Sequence, residues 1–304
     1  MSVRGLEPSA GSVLVQRGCG RRRAAALAAL RSSLAGLGTY VLLSSLPRSA
    51  AAADVDIHAV YEVTFAGLAV ANANLSVAVR GSVYTARINY RTSGAAGLLS
   101  GANGEAVSTG AYKSGRFIPA TFDLDHRGRQ RVQKVALVMT GGAVKVMTLD
   151  PPVDPKSDRV PIEVEHLKNI VDPVSAILIS AVGTDGKTEI RACDRTLPIF
   201  DGLRRYNITL DQKATGISSR VTFPGQVATC QLRWTPLAGD VRSDNGTLPM
   251  TRNGEFGEII MTFGLVDTVN VYVPVSVSAK IDYWALEVRL TQFSSSEAKI
   301  ETAR

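Results

Sequence analysis

The chain has 304 residues, with 34 lysines and arginines against 27 aspartates and glutamates, and a formal net charge of +7. Most of that excess sits in the first 53 residues, which hold seven arginines and Glu7; the 251 residues that follow carry 27 cations and 26 anions, a net charge of +1. So balanced a body excludes a nucleic-acid binder that works through a basic stripe, and its length suits one large all-β domain or two small ones.

Residues 1–53 read as a signal peptide. A basic segment ends in Arg21-Arg22-Arg23, an apolar stretch is clearest from Leu34 to Leu46, and small residues follow at Ser49 to Ala53. Signal peptidase cleaves after such a pattern, which places the cut before Asp54. The apolar stretch is shorter than the roughly 20 residues of a membrane span. A mitochondrial transit peptide shares the arginines, but the apolar stretch and the alanine-rich cut site argue against it. The arginine run would also serve a twin-arginine exporter. Cys19 would leave with the leader. The expected location is therefore the periplasm, with no transmembrane span in the mature chain.

Strands come next. Apolar and polar residues alternate with period two over Val60–Phe65, Val70–Arg80, Tyr84–Tyr90, Ala106–Tyr112, Phe117–Leu124, Val132–Val138 and Val144–Leu149. Such alternation marks half-buried strands. Turns are expected at Gly67-Leu68, Ser114-Gly115, Arg127-Gly128 and Gly141-Gly142. Ser93 to Gly104 interrupts the pattern with four glycines around Leu98 and Leu99. It lacks the lysine and hydroxyl of a phosphate loop. It reads either as a mobile surface loop or as a lid whose two leucines touch an apolar ligand.

Asp150 to Pro161 holds four prolines and reads as a linker within a single β-rich domain spanning 54–293. A helix is expected after it. Asp172 is a good N-cap, Pro173 suits the first helical position, Val174 to Val182 is almost wholly apolar, and Gly183 ends it. A short helix apolar on all sides must be buried, here as a plug inside a curved sheet. Further strands are expected at Ile190–Ala192, Arg204–Leu210, Arg220–Phe223, Ala228–Trp234, Ile259–Phe263, Val271–Ser278 and Trp284–Leu290, with an Asp201-Gly202 turn. Pro274 inside its strand points to an edge or a bulge. Residues 294–304 are polar and read as a frayed, flexible tail. The fold class is mainly β: a curved antiparallel sheet, as sandwich or half-barrel, around one short buried helix.

Cys193 and Cys230 remain in the mature chain. In an oxidising compartment the pair suggests one disulfide, closing a loop worth roughly 4 kcal/mol by chain entropy; two buried thiols are the alternative. His58, His126 and His166 have carboxylates nearby but no second histidine at ligand spacing, so no metal or other cofactor is expected. No nucleophile sits beside a base in a convincing context, and no enzyme is expected.

Two short signatures occur together: Val171-Asp172-Pro173-Val174-Ser175-Ala176 and Phe200-Asp201-Gly202-Leu203-Arg204-Arg205-Tyr206. The pair resembles the bacterial exported family called domain of unknown function number 3108, over roughly residues 57 to 292 of this sequence. Leu203 and Asn207 depart from the residues common there. The resemblance implies an envelope protein of a Gram-negative bacterium and carries over no established activity. In architecture the chain is similar to carriers that shuttle lipoproteins across the periplasm.

Within the second signature, Arg204 is expected to face inward with Tyr206, Ile208 and Leu210, because alternate strand residues share a face. An inward arginine needs an anion. Asp201 and Asp172 are the candidate protein partners, and a ligand carboxylate or phosphate is the functional alternative. Arg205, on the other face, should tolerate change. Two functions fit: carriage of a lipid or other apolar envelope molecule, or docking onto an envelope protein without a small ligand.

Overall fold

The computed structural model describes residues 54–129, 131–155, 157–183, 191–240, 256–281 and 283–297. The leader, the tail beyond residue 297 and Ile190 of an expected strand lie outside them. The first half of the body is a meander: β1 (Val55–Phe65), β2 (Leu68–Arg80), β3 (Val83–Thr92), β4 (Asn103–Lys113), β5 (Arg116–Arg127), β6 (Val132–Thr140) and β7 (Ala143–Asp150). The second half holds β8 (Ile179–Ser180), β9 (Arg195–Phe200), β10 (Arg205–Arg220), β11 (Phe223–Ala238), β12 (Phe256–Val266), β13 (Val271–Ile281) and β14 (Trp284–Glu297). The turns at Ala66-Gly67, Ser114-Gly115 and Gly141-Gly142 place both central residues at positive φ. That geometry matches the right-handed twist of the strands it joins.

One antiparallel sheet of fourteen strands results, in the order β7-β6-β5-β4-β3-β2-β1-β14-β13-β12-β11-β10-β9, with β8 on β13 off that path. The first and last strands meet in the middle, Val55 opposite Glu297 and Phe65 opposite Leu286. The sheet is not closed: β7 and β9 each have a neighbour on one side. It is a curved half-barrel and not a sandwich. Alternate residues line its inner face, among them Ile57, Val77, Tyr84, Phe122 and Leu137, all buried.

Described residues of the chain between β7 and β9 pack on this inner face. The start of that chain, expected as a linker, is tied down: Gln133 Nε2 donates to Pro151 O at 3.1 Å, Val160 N to Asp240 O at 2.9 Å, and Gly239 N to Val160 O at 2.8 Å. Ile162, Leu167, Ile170, Val174, Ile177 and Leu178 then pack on the sheet's core side chains.

Five expectations need correction. Arg191 and Ala192, the described part of the strand expected at Ile190–Ala192, are not in a strand. The buried helix is only Pro173–Ala176 (α2). Beyond it, Ile179 and Ser180 pair with Tyr272 and Val271 of β13, and Ala181 N donates to Asn270 O at 2.8 Å. β-branched residues fit a strand better than a helix, and the open flank of β13 supplies the bonds. The glycine-rich segment is a helix, α1 (Gly94–Ser100), closed by Gly101 at φ 55, not a loop. Arg220 to Phe223 is the tip of the β10–β11 hairpin, not a strand. The chain at 294–297, expected to fray, continues β14 along β1. The proline in β13 does sit at an irregularity, where the register with β12 shifts between Thr262 and Phe263 and Pro274 faces Phe263. Tyr61 Oη donates to Pro274 O there at 2.9 Å.

Candidate functional site

The first signature folds into a buried polar cage at the start of α2. Pro173 fixes the first helical φ, and Asp172 caps the turn: its Oδ1 accepts from Val174 N and Ser175 N, both at 2.9 Å. Its Oδ2 accepts from Ser175 Oγ at 2.6 Å and from Ser108 Oγ of β4 at 2.8 Å. Tyr84 Oη of β3 lies 3.0 Å from Ser108 Oγ and 2.8 Å from Ser175 Oγ. The bonding is self-consistent: both serine protons go to the carboxylate, and the tyrosine proton goes to one serine. Burial raises the Asp172 carboxyl above its ordinary range, against the hydrogen bonds from Ser175, Ser108 and Val174. Burial also pushes the Tyr84 phenol up to about 12. Asp172 therefore does not pair with Arg204. Its partners are hydroxyl and amide groups, a buried carboxyl satisfied by donors rather than by a cation.

The second signature forms a tight turn. Asp201 Oδ1 accepts from Leu203 N at 2.8 Å and Arg204 N at 2.6 Å, while Oδ2 meets Arg204 Nε at 3.3 Å. Arg204 thus pairs with Asp201, one of the two expected partners. Its inward orientation is corrected, because its side chain is 34% exposed while Arg205 is only 8% exposed. The turn holds Arg204 outside β10, and a bulge between Arg205 and Tyr206 breaks the alternation. Arg205 Nη1 donates to Tyr206 O at 2.7 Å and Asn207 Oδ1 at 2.8 Å. Burial raises the Tyr206 phenol above its ordinary range, and its ring meets Trp234 edge-on, with centroids 5.8 Å apart.

Sequence reasoning missed the neighbours of this turn. A Cβ on Gly239 would stand 2.0 Å from Leu203 O, and one on Gly202 would stand 2.3 Å from Val135 of β6. Arg159 Nη1 donates to Gly239 O at 2.5 Å. Arg131 is drawn below the ordinary arginine range by burial, then by the guanidinium groups of Arg159 and Arg204. Residues from three distant segments meet here, and no local pattern announces them.

Beside α2 lies an open cleft of about 580 Å³. Its floor is the chain from Ser175 to Gly183, with Leu178 and Ile179. One wall is the start of β5, with Arg116, Phe117 and Ile118; the other runs from Arg191 to Leu197. Arg116 Nη2 donates to Gly183 O at 2.7 Å. Arg195 donates to Ser180 O at 3.3 Å and to Arg191 O at 2.5 Å. Cys193 lines the cleft and is joined to Cys230 of β11, with Cα atoms 5.6 Å apart. Both ends of the second wall are thereby held. Ser175 belongs to the floor and to the Asp172 cage, so the cage is the cleft's foundation. Leu98 and Leu99 take no part in the lining: α1 packs on β2 and β3 and leaves them 74% and 78% exposed. Neither leucine covers this cleft.

Among the described residues no group of three or more metal-ligating side chains is found, and no helix is long and apolar enough to cross a membrane. No curated protein matches the chain. Among solved structures, it is similar to the beta-barrel-like protein of domain of unknown function DUF1849 from Brucella abortus, at 12% identity and a TM-score of 0.45, covering 80% of this chain and 98% of that one. Residues 60–284 match the family described as "Protein of unknown function (DUF3108)". Both signatures lie within that span, and the chain belongs to the DUF3108 family.

Proposed function

We propose that the protein is exported to the periplasm of a Gram-negative bacterium and there binds and carries an apolar or amphipathic envelope molecule, without acting on it chemically. The cleft beside α2 carries this reading. It falls within the roughly 300–1,000 Å³ of small-molecule sites, and leucine, isoleucine and phenylalanine line its floor and one wall. Ser175 belongs to its lining with its hydroxyl bonded to Asp172, and among the described residues of the lining no histidine or lysine stands to draw the serine proton away. Carriage suits such a surface better than turnover. The leader pattern ahead of Asp54 supports export.

Mass spectrometry of protein purified gently from its host tests both parts. The expected result is a chain beginning at Asp54 with a lipid-like molecule retained. A chain that begins at Met1 overturns export. Ligand-free protein that takes up no fluorescent fatty acid overturns carriage. A docking role is favoured by one observation, the exposed Leu98-Leu99 pair on α1. If docking is correct, Leu98→Ser with Leu99→Ser abolishes capture of an envelope protein partner and leaves fatty-acid uptake unchanged.

A further inference from the structure

Arginines gather in the cleft. Among the described residues its lining holds Arg116, Arg191 and Arg195 with one carboxylate, Asp194. Asp194 Oδ1 accepts from Gln212 N at 3.1 Å, which orients the carboxylate without neutralising it. Several arginines elsewhere on the described surface are matched, Arg80 by Asp56, Arg127 by Asp125, Arg233 by Asp211 and Arg289 by Glu287, while others such as Arg91 and Arg220 are not. Arg116 and Arg191 form no such pair among the described residues. Arg116 is anchored on a main-chain carbonyl, which orients a guanidinium without neutralising it. One of its five donors is used, and the others remain for a ligand.

Resting on the carriage reading above, we infer that the cleft selects a small anionic amphiphile. A carboxylate or phosphate headgroup bridges Arg116 and Arg191, and the alkyl part lies along Phe117, Ile118, Leu178 and Ile179. Arginine's planar fork suits both headgroups, bonding two oxygens at once. The guanidinium groups of Arg116 and Arg195 and the main chain at Arg191 are held in advance of binding. Arg116 is tied to Gly183 O, Arg195 to Ser180 O and Arg191 O, and the disulfide at Cys193 fixes the chain between Arg191 and Arg195. Such preorganisation spares a ligand the entropy of ordering its site. The apolar side chains continue from the arginines onto the floor, so headgroup and chain are served by one surface.

Displacement of a fluorescent fatty acid from the oxidised mature protein tests this. The competitors are laurate, dodecyl phosphate, dodecanol and dodecyltrimethylammonium, all below their micelle concentrations, together with inorganic phosphate. Laurate and dodecyl phosphate are expected to bind about tenfold or more tighter than dodecanol, one well-made ionic contact being worth that factor. The cationic amphiphile and free phosphate should compete weakly. Arg116→Gln and Arg191→Gln should each weaken laurate binding by roughly three- to tenfold and leave dodecanol unchanged. Dodecanol matching laurate overturns the anionic headgroup and leaves carriage standing. Free phosphate matching dodecyl phosphate overturns the amphiphile. If none of the four amphiphiles binds, the carriage reading falls too.

Discussion

Asp172 offers the sharpest test of how the plug is held. Replacing it with alanine leaves Val174 N and Ser175 N without their cap, a loss of about 0.5–2 kcal/mol. It also strands Ser108 Oγ and Ser175 Oγ, which now donate to Oδ2, at about 1 kcal/mol each when buried. The sum is roughly 3 kcal/mol, which for a body of this size lowers the melting temperature by roughly 6–12 °C. Asp172→Asn keeps an oxygen for the two amides and lets the serine hydroxyls rotate to accept, so about 1 kcal/mol is expected at neutral pH. Acid should separate the wild type from this variant. Because the folded-state pKa of Asp172 is raised, its contribution is full below the unfolded carboxyl value and is lost as pH rises through the folded value. The stability gap between aspartate and asparagine therefore widens as pH falls from 7 toward 4. Urea unfolding of the oxidised domain at several pH values measures it. An alanine variant within about 0.5 kcal/mol of the wild type refutes the cage as described, and a gap that narrows on acidification refutes the raised pKa.

At the second signature, Arg205→Ala should cost about 1.5–3 kcal/mol, since a buried charged donor is lost with its two acceptors left over, and Arg204→Ala at most about 1 kcal/mol, because its ion pair is partly solvated; urea midpoints of the two variants decide between them. Gly239→Ala should lower stability by about 2 kcal/mol or more, combining a positive φ with a contact against backbone that cannot move aside, and a variant melting with the wild type would disprove that packing. Reducing Cys193–Cys230 should cost about 2–4 kcal/mol and loosen the cleft wall between Arg191 and Arg195, seen as faster exchange of the amides in that segment.

Local patterns in the sequence reveal local structure. Alternation located β1 to β7 and β10 to β14, though it missed β9 and placed a strand at Ile190–Ala192 that is absent from Arg191 and Ala192; Asp172 with Pro173 marked the start of α2. Its end was hidden because Ile179 and Ser180 answer to β13, some ninety residues later. The orientation of Arg204 followed from alternation alone, and the hydrogen bonds of Asp201 and the bulge beside Arg205 overrode it. Leu98 and Leu99 were read for their glycine neighbours, but the segment closes into a helix on its own carbonyls. Ser108 and Tyr84 look like ordinary strand residues until the plug lays Asp172 against them. Arg116 and Arg191 likewise share no sequence neighbourhood, and the fold alone makes them face one cleft.

The seam between β1 and β14 sets an order on assembly. Each meander can zip up from neighbouring hairpins as it is made, but β1 is synthesised first and its partner strand last. During that interval β1 is an eleven-residue open edge with Val55, Ile57, Ala59 and Tyr61 on one side. An edge of that kind is a template for any strand of matching register. The β14 of a second copy matches it as well as the chain's own, so crowding before the seam closes produces an exchanged dimer with every native contact intact. The hazard passes once β14 is in place, when the open edges are β7 and β9.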